Sequence, residues 1–532
     1  MIYFVILFSI LYFVLAWRRL DWAVILLIAA LPSYLIRFSI LGIPSTVLEV
    51  MILIAFFVWL IRQTNFLNFI KGQYTVKDYL QNRKKRAPYP FGWELALLIF
   101  IAWVSAIVSG FSNQALGIWK AYFFEPALLF IVVLNVFKPD TNNNAIPQPP
   151  LSRGHLGGIE KFLWPLAVSA FTVSVLAIYQ KITGNLIDNQ MWAAATTRRS
   201  VSFFGYPNAV GLYLGPIVMV LIGWLFHIIT NNQETIIKQK SSPKSQTQIS
   251  NKIQNPKPKF FGYWNFKTLL AVITILLSLL SIYFAKSEGA LIGIVTALFA
   301  FGLLVGGKLK WITIIVTIII GGSLLAYQPT RYFVEDKIKL HDFSGQVRRQ
   351  QWKETRKMLT SSPTRFIFGT GLANYQTVIK PFHQEGIFVR DYRDPNWHRQ
   401  TVFSDAFRKK VWQPLEIYLY PHNILLNFWT ELGLAGTLLF VWIIGKLLYI
   451  GFKNLKLPSS RAQVEGKIKN SGNIDFKYLN RGLISAFIVI IVHGVVDVPY
   501  FKNDLAVMFW LLIALVSLLK FISNQQNQSY GH

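Results

Sequence analysis

The stretch FKTLLAVITILLSLLSIYF, residues 266–284, decides the fold class of this chain. Lys267 is its only charged residue, and a helix of this length crosses the hydrocarbon core of a bilayer. Similar runs recur along the chain. The candidate spans lie near residues 2–16, 22–40, 45–62, 92–110, 118–136, 161–182, 209–229, 266–284, 289–306, 311–327, 424–452, 480–500 and 504–523. The pattern predicts an all-α polytopic membrane protein with about 12–13 transmembrane helices.

Composition supports this class and excludes others. The 532 residues are 53% hydrophobic and 14% charged, whereas soluble domains carry about 25% charged residues. There are no cysteines, which excludes disulfides and cysteine-based metal sites or nucleophiles. The net charge of +29 sits mostly in short loops between apolar runs. No nucleic-acid-binding motif accompanies it, so nucleic acid is not an expected partner.

The basic loops predict an orientation. Residues 62–91, 231–265 and 453–479 are rich in Lys and Arg, which is typical of cytoplasmic loops. Residues 183–208 and 328–421 then lie outside. The second of these loops is too long for a connector, and it is rich in aromatic residues, Arg and Gly.

Four regions follow from this orientation. They are an N-terminal transmembrane bundle (1–327), a partly helical extracytoplasmic domain (328–421), C-terminal transmembrane helices (422–523) and a cytoplasmic tail (524–532).

The stretch YPHNILLNFWTELGLAG, residues 420–436, places a histidine at the mouth of an apolar run. We expect Pro421 at the first helical position, where its missing N–H is tolerated. His422 and Asn423 then lie beside free backbone N–H groups at the positive end of the helix dipole, an anion-binding place. That environment favours a neutral imidazole able to accept a proton.

Two arginine-bearing segments are expected on the same side. In RRSVSFFGYPN, residues 198–208, two arginines precede a span; the alternative reading is arginines that snorkel to the interface. In QVRRQQWKETRKML, residues 346–359, helical spacing puts Arg348 and Trp352 on one face. The alternative there is a solvated basic helix. Arginine suits bidentate phosphate contacts.

A third polar pair lies near the end of a predicted span. In VHGVVDVPY, residues 492–500, His493 and Asp497 are spaced as i, i+4 neighbours on a helix. Ionisable residues inside a span indicate a functional site, and the alternative is a buried hydrogen bond between helices. We interpret Gly433 and Gly436 as packing residues, since small residues let backbones approach closely.

These motifs resemble the O-antigen ligase and polymerase superfamily. His422–Asn423, nine residues and then GLAG resemble its H-N-x9-G-x-x-G signature. RRSVSFFGYPN is similar to its R-x-x-x-x-F-G-x-P-N segment, which aligns Arg199. RRQQW followed by FGTGLANY looks like its R-x-x-x-W…G-x-G segment, which aligns Arg348, with Arg349 as the rival register. The resemblance is specific from about residue 199 to 500.

The resemblance implies a GT-C-like membrane glycosyltransferase at the outer face of the cytoplasmic (inner) membrane. Its donor would be a glycan on undecaprenyl pyrophosphate, its acceptor a hydroxyl of a glycan, lipid or protein, with no metal or cofactor. His422 would be the base, and Arg199 and Arg348 would hold the pyrophosphate. Supporting roles are expected for Asn423, Trp352, His493 and Asp497. One departure from the family pattern stands at Glu288, where the family often has Arg or Gln.

Several functions share these motifs. A lipopolysaccharide ligase, a polysaccharide polymerase and a protein O-oligosaccharyltransferase would share the donor site. From a different class, a transporter or flippase of lipid-linked sugars would need polar residues along several spans.

Overall fold

The computed structural model describes residues 2–40, 43–62, 89–137, 157–240, 266–456 and 476–528. Most of the predicted cytoplasmic loops and the end of the predicted tail lie outside these residues. The loop predicted for 231–265 begins later than expected, because the helix before it continues to Lys240.

The described chain is almost entirely helical. In the first part, the elements are α1 (Ile2–Arg18), α2 (Leu20–Ala29), β1 (Arg37–Ile40), β2 (Ile43–Thr46), α3 (Val47–Arg62), α4 (Gly92–Val108), α5 (Asn113–Phe137), α6 (Gly157–Thr183), α7 (Gln190–Ala193), α8 (Pro207–Lys240), α9 (Phe266–Phe284), α10 (Glu288–Val305) and α11 (Gly307–Ala326). The remainder comprises α12 (Gln328–Ile338), α13 (Phe343–Leu359), α14 (Pro363–Phe368), α15 (Tyr375–Ile379), β3 (Gly386–Phe388), α16 (Trp397–Phe403), α17 (Asp405–Val411), β4 (Trp412–Pro414), α18 (Ile424–Lys456), α19 (Lys477–Gly494) and α20 (Asn503–Gln528).

The predicted class, an all-α polytopic membrane protein, is confirmed. Among the described residues, eight helices are long and apolar enough to cross a membrane. Helices at four further predicted positions, α1, α3, α4 and α19, are shorter or more polar. The two small antiparallel sheets pair β1 with β2 and β3 with β4.

One predicted span is wrong. Residues 22–40 do not form a continuous helix, because α2 ends at Ala29 and a 3-10 turn from Leu31 to Leu35 follows. The chain then enters the β1–β2 hairpin. Pro32 stands at the start of the turn, where it supplies no backbone donor to continue α2.

The core lies among the helices that pack most closely around α8, α19 and α20. Trp224 and Trp510 are fully buried there. Gly223 and Gly482 face each other, and a Cβ added at either would lie 2.7 or 2.8 Å from the Cα of the other. Backbone contact of this kind is how helices associate in a membrane.

Several carboxylates are buried among the apolar helices. Glu94 pairs with Lys446, and Glu49 lies 2.7 Å from the Lys120 ammonium. The carboxylate of Glu431 accepts the backbone N–H of Ala373 at 2.9 Å. Buried carboxylates of this kind persist in a bilayer because each has a partner.

The segment 328–421 folds into helices and a hairpin that dock on the start of α18. Gly433 has φ +70°, which breaks α18 after its first turns. A Cβ there would lie 2.3 Å from the Ile367 carbonyl oxygen, so only glycine leaves room for the backbone at the end of α14. The predicted packing role of Gly433 therefore concerns this docked segment rather than another spanning helix.

Candidate functional site

Chain segments far apart in sequence meet at one end of the bundle. The backbone N–H of Ser200 donates to the Phe284 carbonyl at 3.2 Å. The Asn208 amide donates to the Asp497 carboxylate at 3.1 Å, and the Asn423 amide donates to the Val495 carbonyl at 2.9 Å. These bonds bring the Arg199 loop, the turn between α9 and α10, the start of α18 and the turn after α19 together.

Arg199 is half-buried and held from two sides. Its Nε donates to the Ala285 carbonyl at 3.0 Å, and its Nη2 donates to Asn208 Oδ1 at 3.2 Å and to the Lys286 carbonyl at 3.3 Å. These contacts fix the plane of the guanidinium.

Arg198 binds backbone carbonyls rather than the side chains around Arg199. Its guanidinium donates to the carbonyls of Lys181, Ile182 and Ala193. It therefore closes the loop after α6 and is committed to backbone, so the two neighbouring arginines are not equivalent.

Arg348 lies on the half-buried side of α13. Its Nη1 donates to Ser344 Oγ at 2.7 Å, while its Nε is buried and has no hydrogen-bond partner among the described residues. Trp352, one turn further along α13, also has a buried indole N–H without a partner in the part of the chain that the structure describes. Buried donors of this kind call for a ligand or water. Two such donors from one helix face indicate a place for an acceptor group.

Arg349 points elsewhere. It is exposed, and its Nη1 donates to the Tyr392 hydroxyl at 3.1 Å within the 328–421 segment. The geometry therefore favours Arg348 over the rival register.

Arg199 and Arg348 are close enough to influence each other. Burial lowers the pKa of Arg199; the charge of Glu288 opposes this effect, and the charge of Arg348 adds to it. Two guanidinium groups that repel each other would both be stabilised by an anion bound between them.

His422 has an unusual backbone. Its φ is +43°, a left-handed conformation that non-glycine residues adopt at a cost of about 1–3 kcal/mol. Its Nδ1 lies 3.1 Å from Gln351 Oε1. The ring centroids of Tyr418 and Tyr420 lie 5.0 and 4.8 Å from the centroid of the imidazole. The side chain is thus held on several sides.

The electrostatics of His422 favour the neutral form. Burial lowers its pKa below the usual 6.5; the Asp497 carboxylate raises it and the Arg348 guanidinium lowers it further. The net direction is downward, as expected from the sequence, and burial is the main cause.

The start of α18 differs from the prediction. The helix begins at Ile424, not at Pro421. Asn423 precedes it, and its Oδ1 accepts the Leu426 N–H at 3.0 Å. Asparagine is a favoured N-cap, so Asn423 occupies one of the N–H groups that we expected to be free. His422 lies just before this cap.

His493 and Asp497 do not form the predicted pair on one helix face. Helix α19 ends at Gly494, and Asp497 lies in the turn that follows. Its carboxylate instead accepts hydrogen bonds from Asn208 and from the Val498 N–H. His493 is buried, and its Nδ1 has no partner within the ranges that the structure describes. It packs on Gly289, where a Cβ would lie 2.6 Å from the imidazole Cδ2.

Glu288 belongs to a chain of ion pairs that links α10, α12 and the start of α13. Its carboxylate lies 2.7 Å from the Lys337 ammonium, which also contacts Asp342 at 2.8 Å. The side chain of Asp342 caps α13 by accepting the Gly345 N–H. The negative charge that departs from the family pattern therefore connects the start of α10 to the helix that carries Arg348.

The sequence reasoning missed two residues of this arrangement. Asn208 bridges Arg199 and Asp497, and Gln351 contacts His422. Gln351 lies three residues after Arg348, a spacing that places both side chains on neighbouring positions of one helix face. Among the described residues, no group of three or more His, Cys, Asp or Glu is placed to hold a metal ion.

A family model described as O-antigen ligase matches residues 273–441. The matched segment begins in α9, includes Arg348 and His422, and ends in α18. No curated protein matches the chain. Over these residues the chain is similar to the O-antigen ligase family, as the sequence motifs predicted.

Proposed function

We propose that this protein transfers a glycan from undecaprenyl pyrophosphate to an acceptor hydroxyl at the outer face of the cytoplasmic membrane. The chain has several helices that could span a membrane, and its residues 273–441 match an O-antigen ligase family model. The observation that carries it is the convergence of Arg199, Arg348 and a neutral His422 at one end of the helix bundle.

The arginines suit a pyrophosphate leaving group. As the bond between the sugar C1 and the phosphate oxygen breaks, its electron pair moves to the pyrophosphate. Arg199 and Arg348 stabilise the negative charge that develops there, and such preorganised stabilisation is usually the largest catalytic term. Arg199 is preorganised by its three hydrogen bonds, and Arg348 offers its unpartnered Nε.

The histidine suits the other half of the reaction. His422 accepts the proton of the acceptor hydroxyl while the hydroxyl oxygen forms the new bond to C1. A neutral imidazole is required, and burial lowers the pKa of His422 in that direction. A positioned base of this kind contributes about 10²–10⁴-fold.

The test is transfer by the purified full chain in detergent. The donor is undecaprenyl pyrophosphate-linked glycan extracted from cells lacking this protein, and the acceptor is a membrane extract of the same cells. Glycan transfer with release of undecaprenyl pyrophosphate is expected. Movement of the donor across liposome membranes without cleavage would instead favour the transporter or flippase.

The glycan profile of the deletion strain separates the three transferase types. Loss of long chains on the lipid acceptor indicates a ligase. Accumulation of single repeats on the carrier indicates a polymerase, and loss of glycan from secreted proteins indicates a protein O-oligosaccharyltransferase.

A further inference from the structure

The side-chain amide of Gln351, which also contacts the Tyr375 hydroxyl, makes two directed contacts with the segment before α18. It lies on α13, is only 7% exposed, and stands one turn beyond Arg348. Its Nε2 donates to the Tyr420 carbonyl at 2.7 Å, and its Oε1 lies 3.1 Å from His422 Nδ1. Both contacts reach the short segment that carries the histidine.

These two contacts determine which group donates and which accepts in the hydrogen bond between Gln351 and His422. A backbone carbonyl only accepts hydrogen bonds, so the amide nitrogen of Gln351 must face Tyr420. The amide oxygen then faces the imidazole, and it also only accepts. His422 Nδ1 must therefore carry the hydrogen, and Nε2 is left with its free lone pair.

We propose that Gln351 is a positioning residue that holds His422 in the Nδ1–H tautomer and so presents Nε2 as the proton acceptor. The proposal rests on the base role of His422 proposed above. The left-handed backbone and the two tyrosine rings fix where the imidazole lies, but neither sets which ring nitrogen is protonated. Gln351 helps to fix the position of the imidazole and also determines which nitrogen is protonated, since it contacts a ring nitrogen.

The surroundings of the imidazole allow a pH test. The charged and titratable groups that face His422 are Arg348 from α13, Asp497 from the turn after α19, and Tyr418 and Tyr420 from its own segment. Gln351 is neutral at every pH of interest. Exchanging it for a carboxylate adds one charge beside Nδ1 and removes the donor to the Tyr420 carbonyl, while the other charged groups stay the same.

Three variants of the full chain separate positioning from a structural role. Gln351→Met keeps the side-chain length but cannot accept a hydrogen bond; we expect kcat to fall by about tenfold to a hundredfold, with the KM for donor unchanged. Gln351→Glu still accepts from Nδ1–H, so most of kcat should return. Gln350→Met is the matched control, because Gln350 contacts Glu354 and Gln384 rather than His422, and it should behave as the unaltered chain.

The pH profile of Gln351→Glu is the decisive readout. A carboxylate beside the imidazole stabilises its protonated form and raises its pKa, so the acidic limb of the kcat profile should move to higher pH. A purely structural Gln351 predicts no such movement, and an unmoved limb overturns the proposal. Normal kcat in Gln351→Met would overturn it too. If His422→Ala itself transfers normally, the base role fails first, whatever the Gln351 variants show.

Discussion

Asn208 donates a hydrogen bond of 3.1 Å to the Asp497 carboxylate and accepts one of 3.2 Å from Arg199, so one amide joins two segments 289 residues apart. Asn208→Ala removes both bonds. Arg199 keeps its two backbone partners, so we expect a loss of about 1 kcal/mol, seen as a roughly fivefold higher KM for donor. Steady-state kinetics measure this. The control is Asn185→Ala, in the connection between α6 and α8 that also carries Arg199; an equal effect there would contradict the bridging role.

Asp497→Asn should shift the pH dependence. The Asp497 carboxylate raises the pKa of His422 against the larger lowering by burial. Without that charge the pKa falls further. The neutral base is lost as pH falls through this pKa, so the acidic limb of the kcat profile should move to lower pH. A limb that moves to higher pH, or not at all, would show that the two groups do not interact.

The two proposed phosphate arginines should behave alike. Arg199→Ala and Arg348→Ala should each abolish measurable donor binding, whereas the Lys variants keep a charge without the planar fork and should retain part of it. Binding of radiolabelled donor to purified protein is the measurement.

Arg349→Ala is the matched control for Arg348, because Arg349 is the next residue on α13 and contacts Tyr392 instead. It should bind donor normally. If Arg349→Ala loses donor and Arg348→Ala does not, the rival register is the correct one.

A buried ion pair supports the bundle away from the site. Glu94 is fully buried, and it contacts both the Lys446 ammonium and the Trp442 indole N–H. Lys446→Met leaves this carboxylate without its cation, which should cost about 3–5 kcal/mol of unfolding free energy. Adding Glu94→Gln should recover much of that loss. Thermal unfolding in detergent measures both; a stable single variant would refute the pairing.

Much of the fold was predictable because long apolar runs have few alternatives in a membrane. The helix predicted at 266–284 has those bounds in the structure. The span predicted at 22–40 was wrong because hydropathy does not detect the turn and hairpin that follow Ala29. Likewise, spacing alone suggested that His493 and Asp497 share a helix, but α19 ends at Gly494.

The site was partly predictable for a similar reason. Arginines and a histidine at the ends of apolar runs stand out in a sequence. Asn208 and Gln351 do not stand out, because the hydrogen-bond partners of a neutral amide are determined by the tertiary structure and not by the local sequence. Contacts such as that between Glu288 and Lys337 depend on how the 328–421 segment docks, which no local pattern encodes.

The most direct test of the account is glycan transfer by purified His422→Ala and His422→Gln, measured beside thermal stability and donor binding. His422 is not a core residue, so both variants should fold, and donor should still bind through Arg199 and Arg348. Transfer should fall by at least about a hundredfold, the lower range for loss of a general base. A folded His422→Ala variant that binds donor and transfers glycan at the normal rate would contradict the account.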